Sequence, residues 1–216
     1  MLATATAVAG EAGAFAADAV TPQALDRVWS TTPDADHGKV LYLMHCRECH
    51  GRHGWGDGPR SIPALAGQRE KYLVEQLAQF AVGQRASQSM HETMQRPDLD
   101  WAQAVRDLAA YLAIVPRSTG PEYGESNDVS AGKRLYQLAC RDCHGGNGEG
   151  TAGGTPAIGG QHYRYLAAQL RSFSAGHRDA GEPPLPVSMG ALSQQDIQNI
   201  ANYVSRLSYL TAEGAH

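Results

Sequence analysis

Cysteine and lysine are scarce in this 216-residue chain: there are four cysteines, and three lysines stand against 15 arginines. No run of about 20 apolar residues occurs, which excludes a membrane-spanning helix while leaving a peripheral membrane association compatible with the sequence. An excess of one charge is also missing. The formal net charge is -4, with 10 basic against 10 acidic residues over 34–117 and 7 against 9 over 118–216. No basic stripe is left to hold nucleic acid. Convincing alternation of apolar and polar residues is absent as well, so no strand is expected and the fold class is all-α.

What the chain does have is a use for every cysteine. Cys46, Cys49 and His50, then Cys140, Cys143 and His144, each spell Cys-x-x-Cys-His. This is the attachment signature of c-type haem, in which two thiols add to the two vinyl groups and the adjacent imidazole reaches the iron. Two Cys-x-x-Cys knuckles around one zinc, or a redox or structural disulfide pair, are the competing readings. Neither of them needs a histidine after each second cysteine. The expected cofactors are two covalent haem c groups with His50 and His144 as iron ligands.

The surroundings of the two motifs repeat. Residues 63–85 and 156–178 align without a gap and share 11 of 23 positions at a period of 93 residues. HGKVLYLMHC (37–46) answers to AGKRLYQLAC (131–140). A repeat this long implies two copies of a domain rather than a solenoid. The expected organisation is domain 1 over 34–116, a linker over 117–128 and domain 2 over 129–208. Helices are expected over 35–46, 69–82 and 100–114, and over 129–140, 162–175 and 193–207. Asp100 should cap one of them, and Ser193 with Asp196 should form a capping box on another. The glycine-rich stretches after each motif are expected to let backbone pass close to the haem edge. Met44 reads as a core residue, and His37, His45, His53 and His216, which have no counterpart in the other copy, as solvent-facing. Residues 1–20, rich in alanine and carrying Ala14-Phe15-Ala16, read as the tail of a secretory leader, with an alanine-rich tail as the other reading.

The order helix, Cys-x-x-Cys-His, glycine-rich loop, Pro-Ala-x-x-Gly-Gln, helix, ligand loop, helix resembles tandem class I cytochrome c domains. It is most similar to the dihaem cytochrome c4 family, over about residues 34–208. The resemblance implies that the carbonyl at Pro63 or Pro156, or at the residue before it, accepts the Nδ1–H of the proximal histidine. It also implies that Gly38 with Tyr111, and Gly132 with Tyr203, mark helix crossings, and that His162 is structural. A methionine should close each iron from the far side: Met94, with Met90 as the alternative, and Met189, with His177 or an open iron as alternatives. The implied function is electron transfer in the periplasm between a donor dehydrogenase or bc-type complex and a terminal oxidase or reductase, through transient or subunit-type redox partner proteins. The rival is a haem enzyme, peroxidase-like or oxidising sulfur compounds, with an open second iron.

Overall fold

The computed structural model of the chain describes residues 22–118, 120–125, 128–179 and 192–208. Among them are ten helices: α1 (Pro22–Ser30), α2 (Ala35–His45), α3 (Arg47–His50), α4 (Glu70–Ala81), α5 (Gln88–Met94), α6 (Trp101–Ile114), α7 (Val129–Ala139), α8 (Arg141–His144), α9 (Tyr163–Ser174) and α10 (Gln194–Ser205). No strand occurs among the described residues, only an isolated bridge between Asp57 and Ile62. The core divides into two clusters. One gathers α2, α4 and α6 around Tyr42, Val74, Val105 and Leu112, and the other gathers α7, α9 and α10 around Tyr136, Ala201 and Val204.

In each unit the helix before the haem motif crosses the last helix at a glycine. A Cβ on Gly38 would lie 2.0 Å from the Asp107 carbonyl oxygen, and one on Gly132 would lie 2.0 Å from that of Asn199. Only hydrogen lets the backbones come this close. Tyr42 and Tyr111 then pack at 5.7 Å between ring centroids, and Tyr136 and Tyr203 at 5.5 Å. Ser193 accepts from the Asp196 amide at 3.1 Å while Asp196 accepts from the Ser193 amide at 3.0 Å, the capping box expected. Asp100 does stand at the N-cap of α6, but its side chain makes no capping hydrogen bond.

Four helices exceed the sequence expectation, the single turns α3 and α8 of the haem motifs and the longer α1 and α5. Helix α1 buries Val28 completely against α4 and α6, with Leu25 one turn earlier packed on the same cluster. Helix α5 lies where a ligand loop was expected, capped by Ser87. Met44 is not core: it is 65% exposed. The 3.6-residue period explains this, because α2 turns Gly38, Leu41 and Tyr42 inward, which puts residue 44 on the outer face.

The two units meet across a seam that obeys the repeat. Gln68 donates to the Ala157 carbonyl at 2.8 Å and accepts from the Ala157 amide at 2.7 Å. Gln161 does the same to Ala64, at 2.9 Å both ways. Arg85 of the first unit donates to Tyr165 and Gln169 of the second, while Arg178 of the second donates to Tyr72 and Gln76 of the first. The chain between the units is anchored as well, since Arg117 donates to the Gly159 carbonyl at 2.7 Å and the Tyr163 backbone amide to that of Glu122 at 3.0 Å. Replacing Gln68 by leucine strands the buried backbone N–H and C=O of Ala157, and replacing Gln161 strands the partly buried ones of Ala64. Either change should weaken docking of the units by about 1–3 kcal/mol, read as an earlier, broader first step in denaturant unfolding of the holoprotein; an unchanged curve would refute it.

Candidate haem sites

Helix α3 is a single turn that presents His50 inward from the end of Cys-x-x-Cys-His, and α8 does the same for His144. The turn is held from behind by a tyrosine: Tyr42 donates to the Gly51 carbonyl at 2.5 Å, and Tyr136 to that of Gly145 at 2.6 Å. Beyond it, Gly56 at φ 77° and Gly150 at φ 66° fold the loop back so tightly that a Cβ would meet the backbone at Ile62 and Thr155. That return brings a proline carbonyl to each imidazole. His50 Nδ1 lies 3.1 Å from the Pro63 oxygen, and His144 Nδ1 lies 3.0 Å from the Pro156 oxygen.

A carbonyl can only accept, so Nδ1 carries the proton in both rings and Nε2 keeps its lone pair. Burial holds both histidines below the usual imidazole range, with the proline carbonyl opposing it weakly. Each imidazole is therefore presented neutral, oriented and ready to bind a metal through Nε2. The four cysteines form no disulfide with one another. Burial, and then the neighbouring cysteine, push Cys46 up to about 12 and Cys140 up to about 11. Cys49 and Cys143 face outward. The cysteine pairs sit in different units, and no cluster of three or more His, Cys, Asp or Glu side chains suited to a metal occurs among the described residues. The zinc reading, which needs both pairs around one ion, loses its geometry. Two thiols, a neutral imidazole and an apolar core on each unit fit a covalent haem.

In the first core, Met94 ends α5 with 2% exposure. Met90, one turn earlier on the same face, is partly buried against the same cluster. His91 Nδ1 donates to the Phe80 carbonyl at 2.8 Å and pins α5 to α4. Met189 lies outside the described residues, while His177 is exposed. His162 is buried with a structural partner on each nitrogen: Nδ1 accepts from the Glu122 amide at 2.9 Å, and Nε2 donates to the Trp55 carbonyl at 2.7 Å. Two histidines expected in solvent are tied down. His45 has a side chain 8% exposed beside Asp98 at 3.8 Å, and His37 meets Asp107 at 2.7 Å. His53 packs on the Trp55 ring at 4.8 Å between centroids. An open groove runs beside Cys49, with Val40, Leu43 and Met44 on one wall and Thr93, Arg96 and Asp98 on the other.

Comparison with known proteins agrees with this geometry. The cytochrome c family profile matches residues 35–115 and again 129–208. Cytochrome c4 of Pseudomonas aeruginosa is 36% identical over 186 residues, covering 81% of this chain and 89% of that protein. A thiosulfate dehydrogenase electron acceptor of Thiomonas intermedia is 34% identical over 165 residues, covering 72% and 74%. Among solved structures, reduced recombinant cytochrome c4 from Pseudomonas stutzeri superposes with a TM-score of 0.71 at 30% identity, over 82% of this chain and all of that one. Thiosulfate dehydrogenase from Marichromatium purpuratum gives 0.67 at 27% identity, over 80% of this chain but 40% of that one. The chain thus belongs to the dihaem cytochrome c4 family, electron-transfer cytochromes that carry two covalently bound haem c groups.

Proposed function

We propose that this chain is a periplasmic carrier that passes single electrons from a donor dehydrogenase or bc-type complex to a terminal oxidase or reductase. In this reading Cys46, Cys49, Cys140 and Cys143 form the thioethers, and His50 with Met94 and His144 with Met189 are the axial pairs. Pro63 and Pro156 fix the imidazoles. The domains run over 34–116 and 129–208, with 117–128 between them. The haem supplies the one-electron chemistry when bound; the residues bind it, orient its ligands and keep water away. The observation that carries this reading is the same imidazole-to-proline-carbonyl geometry in both copies, joined in the first by a fully enclosed Met94. His50 and His144, each oriented by a proline carbonyl, would keep their place in both oxidation states. Relatives named as electron acceptors of thiosulfate dehydrogenase support a sulfur-compound-oxidising enzyme as one class of donor.

Partners would approach the groove beside Cys49, whose apolar wall and balanced charges of Arg47, Glu48, Arg96 and Asp98 suit a transient redox contact. Met44→Asp is expected to slow electron exchange with such a partner about tenfold while leaving both haem spectra unchanged; an unaltered rate removes the groove from the reading. The carrier as a whole is tested by optical and magnetic spectra of the ferric holoprotein. Two low-spin His/Met centres support it. A high-spin second centre that binds cyanide readily favours the enzyme reading instead.

A further inference from the structure

The two copies keep the same helix crossing but not the same charge within it. In the first, the Asp107 side chain is completely buried on α6. Its Oδ1 accepts from the Asp34 amide and from Gln103 Nε2, both at 2.7 Å, and its Oδ2 lies 2.7 Å from His37 Nδ1. In the second, the glutamine is retained as Gln195, but it donates at 3.0 Å to Asn199, and the place of His37 is taken by Ala131. A buried carboxylate with three donors faces α2 in one unit, and a neutral amide faces α7 in the other.

Other charges nearby are engaged elsewhere. The Asp34 carboxylate accepts from the Asp36 and His37 amides, Arg27 faces Asp100 at 4.0 Å, and Arg106 pairs with Glu70 and stacks on Trp29. Asp36 and Lys39 are exposed. Among the described residues His37 is the one titratable side chain in contact with the Asp107 carboxylate, and its ring is half exposed. From the crossing at Gly38 to Cys46 is eight residues of helix, or about 12 Å, through a core that includes Leu41 and Tyr42. Over that distance a buried charge is screened far less than a surface one.

Resting on the dihaem reading, we propose that Asp107 is a positioning residue for the direction of electron transfer, its fixed negative charge making the first haem the lower-potential one. The ferric iron carries one more positive charge than the ferrous iron, so a nearby carboxylate stabilises the oxidised state. The second unit, with neutral Asn199 at the matching crossing, would lack this bias. An electron entering at the first haem therefore runs downhill to the second, and the seam between the units is crossed in one preferred sense.

The test is a redox titration of the full holoprotein in alkaline buffer, with each haem assigned by its paramagnetically shifted methyl resonances. Asp107→Asn should move the first haem to higher potential and leave the second in place. Asn199→Asp should lower the second alone. His37→Ala keeps the carboxylate, so it should not raise the first haem, whereas a merely loosened crossing would move it the same way as Asp107→Asn. Potentials unmoved in both charge variants, or shifts shared equally by the two haems, overturn the proposal. Asn199→Asp decides the question if Asp107→Asn does not fold. Failure to bind two haems would instead overturn the dihaem reading.

Discussion

Alanine at Gly38 or Gly132 is expected to unfold its own unit well before the other one gives way. The added Cβ would stand 2.0 Å from a backbone oxygen, and 2.5 or 2.6 Å from the carbonyl carbon behind it. No side chain can rotate to relieve that contact, so the two helices must separate. Separation also loosens the Tyr42–Tyr111 or Tyr136–Tyr203 pair, whose tyrosine at position 42 or 136 holds the haem-motif turn. Overpacking of this kind costs about 3 kcal/mol or more, the upper end for a core substitution. Thermal unfolding followed at the Soret band should show one early and one unchanged transition. A melting curve that overlays the wild type would mean that the helices reseat without loss.

The second large effect concerns the sixth ligand proposed for the first haem. Met94→Ala should lower the first haem's potential by on the order of 0.1 V or more, because a thioether opposite histidine raises the potential of cytochromes c as a class. The ferric spectrum should turn from low-spin to high-spin. Met90→Ala should do neither, because Met90 is less enclosed and sits one turn nearer the Ser87 cap. Both residues lie on the same face of α5, so spectra of the two variants side by side are decisive. If Met90→Ala carries the change, then Met94 is the packing residue and Met90 the ligand.

Much of the fold was legible because it is local. The spacing of Leu73, Leu77 and Phe80, or of Val105, Leu108 and Leu112, follows the helical period, and six expected helices formed within about two residues of their anticipated ends. The misses have physical causes. Helix α1 begins at Pro22, a good start position, but its short apolar stripe of Leu25 and Val28 gains stability only by packing on α4 and α6. Helix α5 is seven residues long and rests on Ser87, His91 and the core below it. Met44 looked apolar enough for the core, yet its phase on α2 turned it outward.

By itself, the sequence determined that two haems are attached, that the unit carrying each is duplicated, and that both units are helical. Covalent chemistry and short-range periodicity fix those things within a few residues. Tertiary structure decided which carbonyls hold His50 and His144, that His37 and His45 are engaged rather than free, and how the units join. Arg85 with Tyr165 and Arg178 with Tyr72 are 80 and 106 residues apart, and Asp107 reaches His37 across 70. Such pairs leave no local pattern in the chain. They exist only once glycine crossings and folded loops have brought distant segments within hydrogen-bond range.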